Sequence, residues 1–198
     1  MFNILLDILP TEYKGFRIDP SFQVGIQVYQ ILHDDELTKQ ERIGTAIALL
    51  FPDKDEESGE QLPVPDLETA LEGIEWFLSD WMHDNSDECT DEEKQTIMDY
   101  DIDQWRIYSA FWSQYKIDLN CTDLHFWQFM GLLQNLEDCA FHRVMGIRQA
   151  KITPKMSAEE KTALRRRKRV YALKQAEPEL SAEDQEAVDQ FMAFVKGR

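Results

Sequence analysis

A chain of 198 residues with 43% hydrophobic and 30% charged content has room for one well-buried core and does not require a second full domain. Its formal net charge of -17, from 21 Lys and Arg against 38 Asp and Glu, argues against general affinity for nucleic acid and for a solubilising surface. No stretch approaches the ~20 apolar residues of a membrane span, and the opening MFNILLDIL is interrupted by Asp7 and lacks a basic leader, so secretion and membrane insertion are not expected. Cys89, Cys121 and Cys139 are odd in number and without framework spacing, which fits a reducing cytoplasm.

Taken in order, residues 3–9 followed by Pro10, and then Tyr13, Lys14, Gly15, Phe16, Arg17 and Ile18, predict a small hairpin with Lys14 and Gly15 in the turn. Pro20 and Ser21 open a helix to about His33 with Phe22, Ile26, Tyr29 and Leu32 inward. Thr38 and Glu41 have the spacing of a capping box, predicting a second helix to Leu50 with Ile43, Ile47 and Leu50 inward. Residues 53–65 read as an acidic loop. Asp66 opens a third helix whose inward stripe is Leu67, Leu71, Ile74, Leu78 and Trp81. Residues 53–101 hold 18 Asp and Glu against Lys54 and Lys94, a run that reads first as solvated loops and outer helix faces and second as a surface for a basic partner.

Between Tyr100 and Phe129 the aromatics crowd together, nine of the 22 in the chain, and this stretch is the expected centre of the fold. Trp105, Tyr108, Trp112 and Tyr115 recur at helical spacing on a helix that Asp101 or Asp103 would cap. A further helix from Thr122 or Asp123 carries Phe126, Trp127 and Phe129, followed by Met130, Leu133 and Leu136. The expected core therefore includes Trp105, Tyr108, Trp112, Tyr115, Phe126, Trp127 and Phe129. A short helix over residues 138–146, ending at Gly146, completes a helical domain of residues 1–150.

The order Asp101, Asp103, IYSAFWSQYKIDL (residues 107–119), LHFWQFMGLL (124–133) and GIR (146–148) resembles a family of small phage proteins. These are encoded beside the tape-measure gene in long-tailed phages and prophages of Gram-positive bacteria and are regarded as tail assembly chaperones. LPTEYKGFRIDPSFQ (residues 9–23) is similar, more loosely, to the family's opening. The resemblance implies a protein of the host cytoplasm that binds the tape-measure protein, a long helical chain with exposed apolar seams, until tail tube subunits replace it. The alternative, from another class, is a structural tail, connector or completion protein kept in the virion.

Nothing in the residues themselves specifies a reaction, and the chain is expected to be no enzyme and to need no cofactor. Cys121, His125, Cys139 and His142 are ligand types that zinc accepts, but their spacing matches no zinc motif. Asp99, Asp101 and Asp103 begin like a calcium loop that fails at Gln104, where glycine is required, and at Ala110, where glutamate is. No glycine-flanked serine or phosphate-cradling loop occurs, and His33, His83, His125 and His142 lack a visible base–orienter partner.

Charge reverses late in the chain. Residues 1–139 hold 8 Lys and Arg against 30 Asp and Glu, whereas residues 140–198 hold 13 against 8. The expected C-terminal arm, residues 151–198, has a helix from the capping box Ser157 to Glu160 through about Gln175 and another capped by Ser181. Arg165, Arg166, Arg167, Lys168 and Arg169 surround the first, and Val188, Phe191, Met192 and Val195 stripe the second. The basic run reads as a solvated helix, as a contact for an acidic protein surface or another copy, and least as a nucleic-acid site. The arm is the expected place for client or self contacts. The fold class expected from all of this is mainly α: a compact helical domain with a small N-terminal hairpin and a C-terminal helical arm.

Overall fold

The computed structural model describes residues 2–55, 58–81 and 97–173. Contacts divide the chain into two units, Met1–Arg143 and Val144–Arg198, so the boundary falls inside a helix, seven residues before the division expected at residue 150. The fold is mainly α: seven helices and one two-stranded hairpin among the described residues.

In the first unit the hairpin pairs β1 (Glu12–Tyr13) with β2 (Phe16–Arg17), Tyr13 facing Phe16. Lys14 and Gly15 turn the chain with positive φ, 49° and 85°, the left-handed pair that a two-residue hairpin needs. The four helices that follow are α1 (Phe22–Leu32), α2 (Lys39–Leu50), α3 (Leu67–Ser79) and α4 (Tyr100–Tyr115), and α5 is Phe126–Gln134. Their starts are set locally. Ser21 Oγ accepts from the Val24 amide, the Thr38 and Glu41 capping box closes in both directions, and Asp66 accepts from the Thr69 amide at 2.9 Å. In the loop between α2 and α3 the Ser58 amide and hydroxyl, and beside them Arg17, hold the Asp55 carboxyl down to about 2.

Two caps depart from expectation. Asp99, not Asp101 or Asp103, caps α4, its Oδ1 accepting from the Asp101 and Ile102 amides at 2.9 and 2.8 Å. Asp103 is instead fully buried and takes Arg106 at 2.9 Å. The cap of α5 is His125, two or three residues later than the expected Asp123 or Thr122. Its Nδ1 accepts from the Trp127 amide at 3.0 Å, while Nε2 lies 2.9 Å from the Pro10 carbonyl and donates to it. Beside it, the Phe22 amide donates to the Leu124 carbonyl and the Phe126 amide to the Pro20 carbonyl, so the starts of α1 and α5 are tied together.

The core lies where α1, α2, α3 and α5 meet, around Val28, Ala46, Leu50, Phe51, Ile74, Phe77, Phe126 and Trp127. The faces turned inward are only in part those the bulky residues advertise: Phe22, Leu50 and Ile74 are buried as expected. In α1 the buried seam is Phe22, Gly25 and Val28, with Ile26, Tyr29 and Leu32 only half-buried, because Gly25 admits the Phe126 ring: a Cβ there would stand 2.1 Å from Phe126 Cδ2. In α2 Ala46 and Leu50 are buried, whereas Ile43 and Ile47 are half-buried. In α3 Ala70, Gly73, Ile74 and Phe77 point inward, Gly73 receiving Phe51 and Tyr13, and Leu67 and Leu71 stand exposed. Small residues let helices and rings approach closely, so they occupy the tight contact while larger neighbours are displaced from it.

Helix α6 (Ala140–Gln149) crosses the division between units and runs through Gly146 rather than ending there. In the second unit α7 (Ala158–Val170) begins at the Ser157 and Glu160 capping box and stops before Gln175. Arg148 Nε donates to the Tyr171 carbonyl at 2.6 Å and Lys168 Nζ to the Arg148 carbonyl at 2.9 Å, joining its end to α6. No residue of α7 is buried. The expected helix over residues 181–195 lies outside the described residues.

Candidate functional site

The aromatic stripe read from the sequence exists on α4, but it does not enter the core. The helix buries Tyr100, Asp103, Ile107, Ala110 and Phe111, held by stacking of Phe111 on Phe129 at 5.2 Å and an edge contact of Tyr100 with Tyr29 at 5.7 Å. That orientation sends Trp105 and Trp112, two turns apart, to the outside, where they are 73% and 52% exposed, with Ile102 exposed near them. Tyr108 and Tyr115 are half-buried, held by hydrogen bonds to Asp118 at 3.3 Å and to the Leu132 carbonyl at 3.0 Å. Phe126, Trp127 and Phe129 are buried as expected, Trp127 donating from Nε1 to the Phe77 carbonyl at 2.8 Å. Trp105 and Trp112 are therefore corrected from core to surface.

Between α4 and α1 lies an open cleft of about 500 Å³. Phe22, Tyr100, Ile107 and Phe129 contribute its apolar surface, Ile26 faces Trp105 and Tyr108 across it, and Gln23, Gln30, Gln104 and Asn120 supply amides. Among the described residues Asp101 is the one carboxylate in the lining, and no Lys or Arg belongs to it. Burial first, then the neighbouring Asp118 carboxylate, pushes the Tyr108 phenol up, so it remains a neutral donor at the cleft. Large aromatics exposed beside an apolar cleft with a polar rim are the features of a protein-binding surface.

The remaining groups form no comparable arrangement. Among the described residues no three His, Cys, Asp or Glu side chains cluster to hold a metal ion. Cys121 is exposed, Cys139 and His142 are half-buried, and His125 uses both ring nitrogens to cap α5 and hold Pro10. Arg165, Arg166, Arg167 and Arg169 are exposed on α7 and Lys168 is half-buried; the hollow along this helix is lined by α7 and Tyr171 alone among the described residues. Val188, Phe191, Met192 and Val195 lie outside the described residues. Ile4, Leu5, Leu6 and Ile8, expected in the hairpin, instead precede β1 and stand 54% to 95% exposed. No described helix is long and apolar enough to cross a membrane.

No curated protein and no solved structure matches the chain at a significant level. The profile of a bacteriophage family, described as the Bacteriophage Gp15 protein, matches residues 5–173, a span that takes in the hairpin, the cleft and α7. By that match the chain belongs to the bacteriophage Gp15 protein family.

Proposed function

We propose that this protein is a tail assembly chaperone: it binds the tape-measure protein in the host cytoplasm, keeps that client soluble while the tail is built, and catalyses no reaction. The observation that carries the reading is the exposure of Trp105 at the cleft and of Trp112 further along the same helix, whose other side is firmly seated in the core. Exposed tryptophans that the fold does not need are a liability for a solitary protein and an asset for one that must cover another's apolar seam. Membership of a bacteriophage family and a net charge of -17, suited to keeping an insoluble client dispersed, support the same reading.

The test is co-expression with the tape-measure protein of the same phage genome. The client should be soluble and co-purify with the parent protein, and be lost with the double variant Trp105→Ala, Trp112→Ala, which retains its circular dichroism. Mass spectrometry of purified particles gives the second measurement: a chaperone is absent from them. Its presence there in stoichiometric amount replaces the chaperone with a structural tail or connector protein.

A further inference from the structure

We infer that the cleft between α1 and α4 is the seat of a basic amphipathic helix, the chemical class of client segment that this protein engages; the inference rests on the client-binding reading above. The shape comes first. Phe22, Ile26 and Gln30 on α1, and Asp101, Trp105 and Tyr108 on α4, line it at intervals of three or four residues. The walls therefore run for about two helical turns, ~12 Å at 1.5 Å per residue. A groove between two helical walls of that length takes apolar side chains at i, i+3 or i+4, and i+7 from a third helix laid along it. An extended strand has no unpaired sheet edge here to join, since the one sheet in the described residues is the hairpin, whose residues do not line the cleft.

Charge then selects the helix. The unit that holds the cleft, Met1–Arg143, carries 9 Lys and Arg against 30 Asp and Glu. Among the described residues of the lining Asp101 has no cation beside it, and Tyr108 donates to a second carboxylate, Asp118. A unit of that net charge disfavours an acidic partner, whereas lysines or arginines flanking an apolar stripe are attracted to it and can meet Asp101 in the cleft. Trp105, exposed at the lip and in edge contact with Tyr108 at 6.0 Å, is the residue placed to close over the bound helix. Trp112, one heptad further along the same stripe, extends the contact beyond the cleft.

The experiment uses the full chain and three labelled synthetic peptides: a helix with leucines at i, i+4 and i+7 flanked by lysines, the same composition scrambled, and the same pattern with glutamates replacing the lysines. Fluorescence anisotropy at low and moderate salt should show the patterned lysine peptide binding at least about tenfold tighter than either control and weakening as salt rises. Trp105→Ala should weaken it by about tenfold or more, with the melting temperature lowered by no more than a few degrees. A tryptophan emission shift to the blue on binding should be present in the parent and diminished in that variant. Equal binding of the scrambled or glutamate peptide overturns the inference, as does an unchanged affinity in Trp105→Ala. Sedimentation of the protein alone provides the remaining arm: self-association abolished by Trp105→Ala assigns the cleft to a second copy and overturns the inference too. Peptide binding as expected, with no co-purification of the tape-measure protein, leaves the cleft assignment standing and refutes only the identity of the client. Co-purification that survives Trp105→Ala does the reverse.

Discussion

Trp127 and Trp105 look interchangeable in the sequence, yet truncating them should differ severalfold in cost. Trp127 is 3% exposed, with Trp76 and Phe2 in edge contact at 5.0 and 5.1 Å and its indole N–H donated to the Phe77 carbonyl. Hiding roughly 200 Å² at about 25 cal/mol per Å² stabilises by ~5 kcal/mol. Alanine retains a little of that and the cavity relaxes in part, so Trp127→Ala should cost about 3–5 kcal/mol. Trp127→Phe keeps most of the ring and loses the hydrogen bond and part of the packing, about 1–2 kcal/mol. Trp105 leaves only about a quarter of itself hidden, and Trp105→Ala should cost ~1 kcal/mol or less. Urea unfolding followed by far-ultraviolet circular dichroism reads these differences. At a slope of ~2 kcal/mol per molar, a loss of ~4 kcal/mol lowers the midpoint by about 2 M. A shift under about 0.5 M for Trp127→Ala, or equal shifts for the two variants, would refute the assignment of one ring to the core and the other to the surface.

Gly25→Ala should destabilise by about 1–3 kcal/mol despite the better helix propensity of alanine, since the new methyl would meet the Phe126 ring; a raised melting temperature would contradict the close approach. His125 titrates below the usual histidine value of 6.5 because burial disfavours its charged form, the Pro10 carbonyl opposing in part. The unfolded chain then takes up the proton first, so stability is complete above about pH 6.5 and falls as the pH drops toward the depressed folded value. Protonation also removes the Nδ1 acceptor that caps α5, and His125→Asn, which keeps a cap, should flatten that part of the curve of urea midpoint against pH. Asp103→Ala removes the buried partner of Arg106 and an acceptor for the Asp99 amide, with an expected cost of about 1–3 kcal/mol by the same unfolding assay; a neutral result would mean the pair is dispensable.

The parts of the fold legible in the sequence were those decided within four or five residues. The capping boxes at Thr38 and Ser157, the Asp66 cap and the Lys14-Gly15 turn need only local geometry, and they form where the residues stand. The direction of a helix face is decided elsewhere. Periodicity groups Trp105 with Trp112 correctly, but Tyr29, Phe129 and the buried Asp103 determine which way that stripe points. Gly25 and Gly73 were invisible as core residues because their contribution is the absence of a side chain, measurable only once Phe126 and Phe51 are in place. The His125 cap escaped for a similar reason: its second hydrogen bond is donated to the Pro10 carbonyl, 115 residues away. As for the candidate site, its aromatics could be found in the sequence, while the cleft beside them, which needs α1, could not.

The ties between the starts of α1 and α5 bear on the order in which the chain can fold as it is made. The bonds from Phe22 to Leu124 and from Phe126 to Pro20 close a loop of roughly 100 residues, whose entropy must be lost before the contact gives anything back. At translation rates of about 5–20 residues per second, α1 waits on the order of 5–20 s before α5 leaves the ribosome. During that interval the groove at Gly25 lacks the Phe126 ring, and Phe77 lacks the indole of Trp127. A nascent chain stalled before α5 should therefore be open to proteases and to chaperones that recognise apolar helices, and one released past α5 should close abruptly.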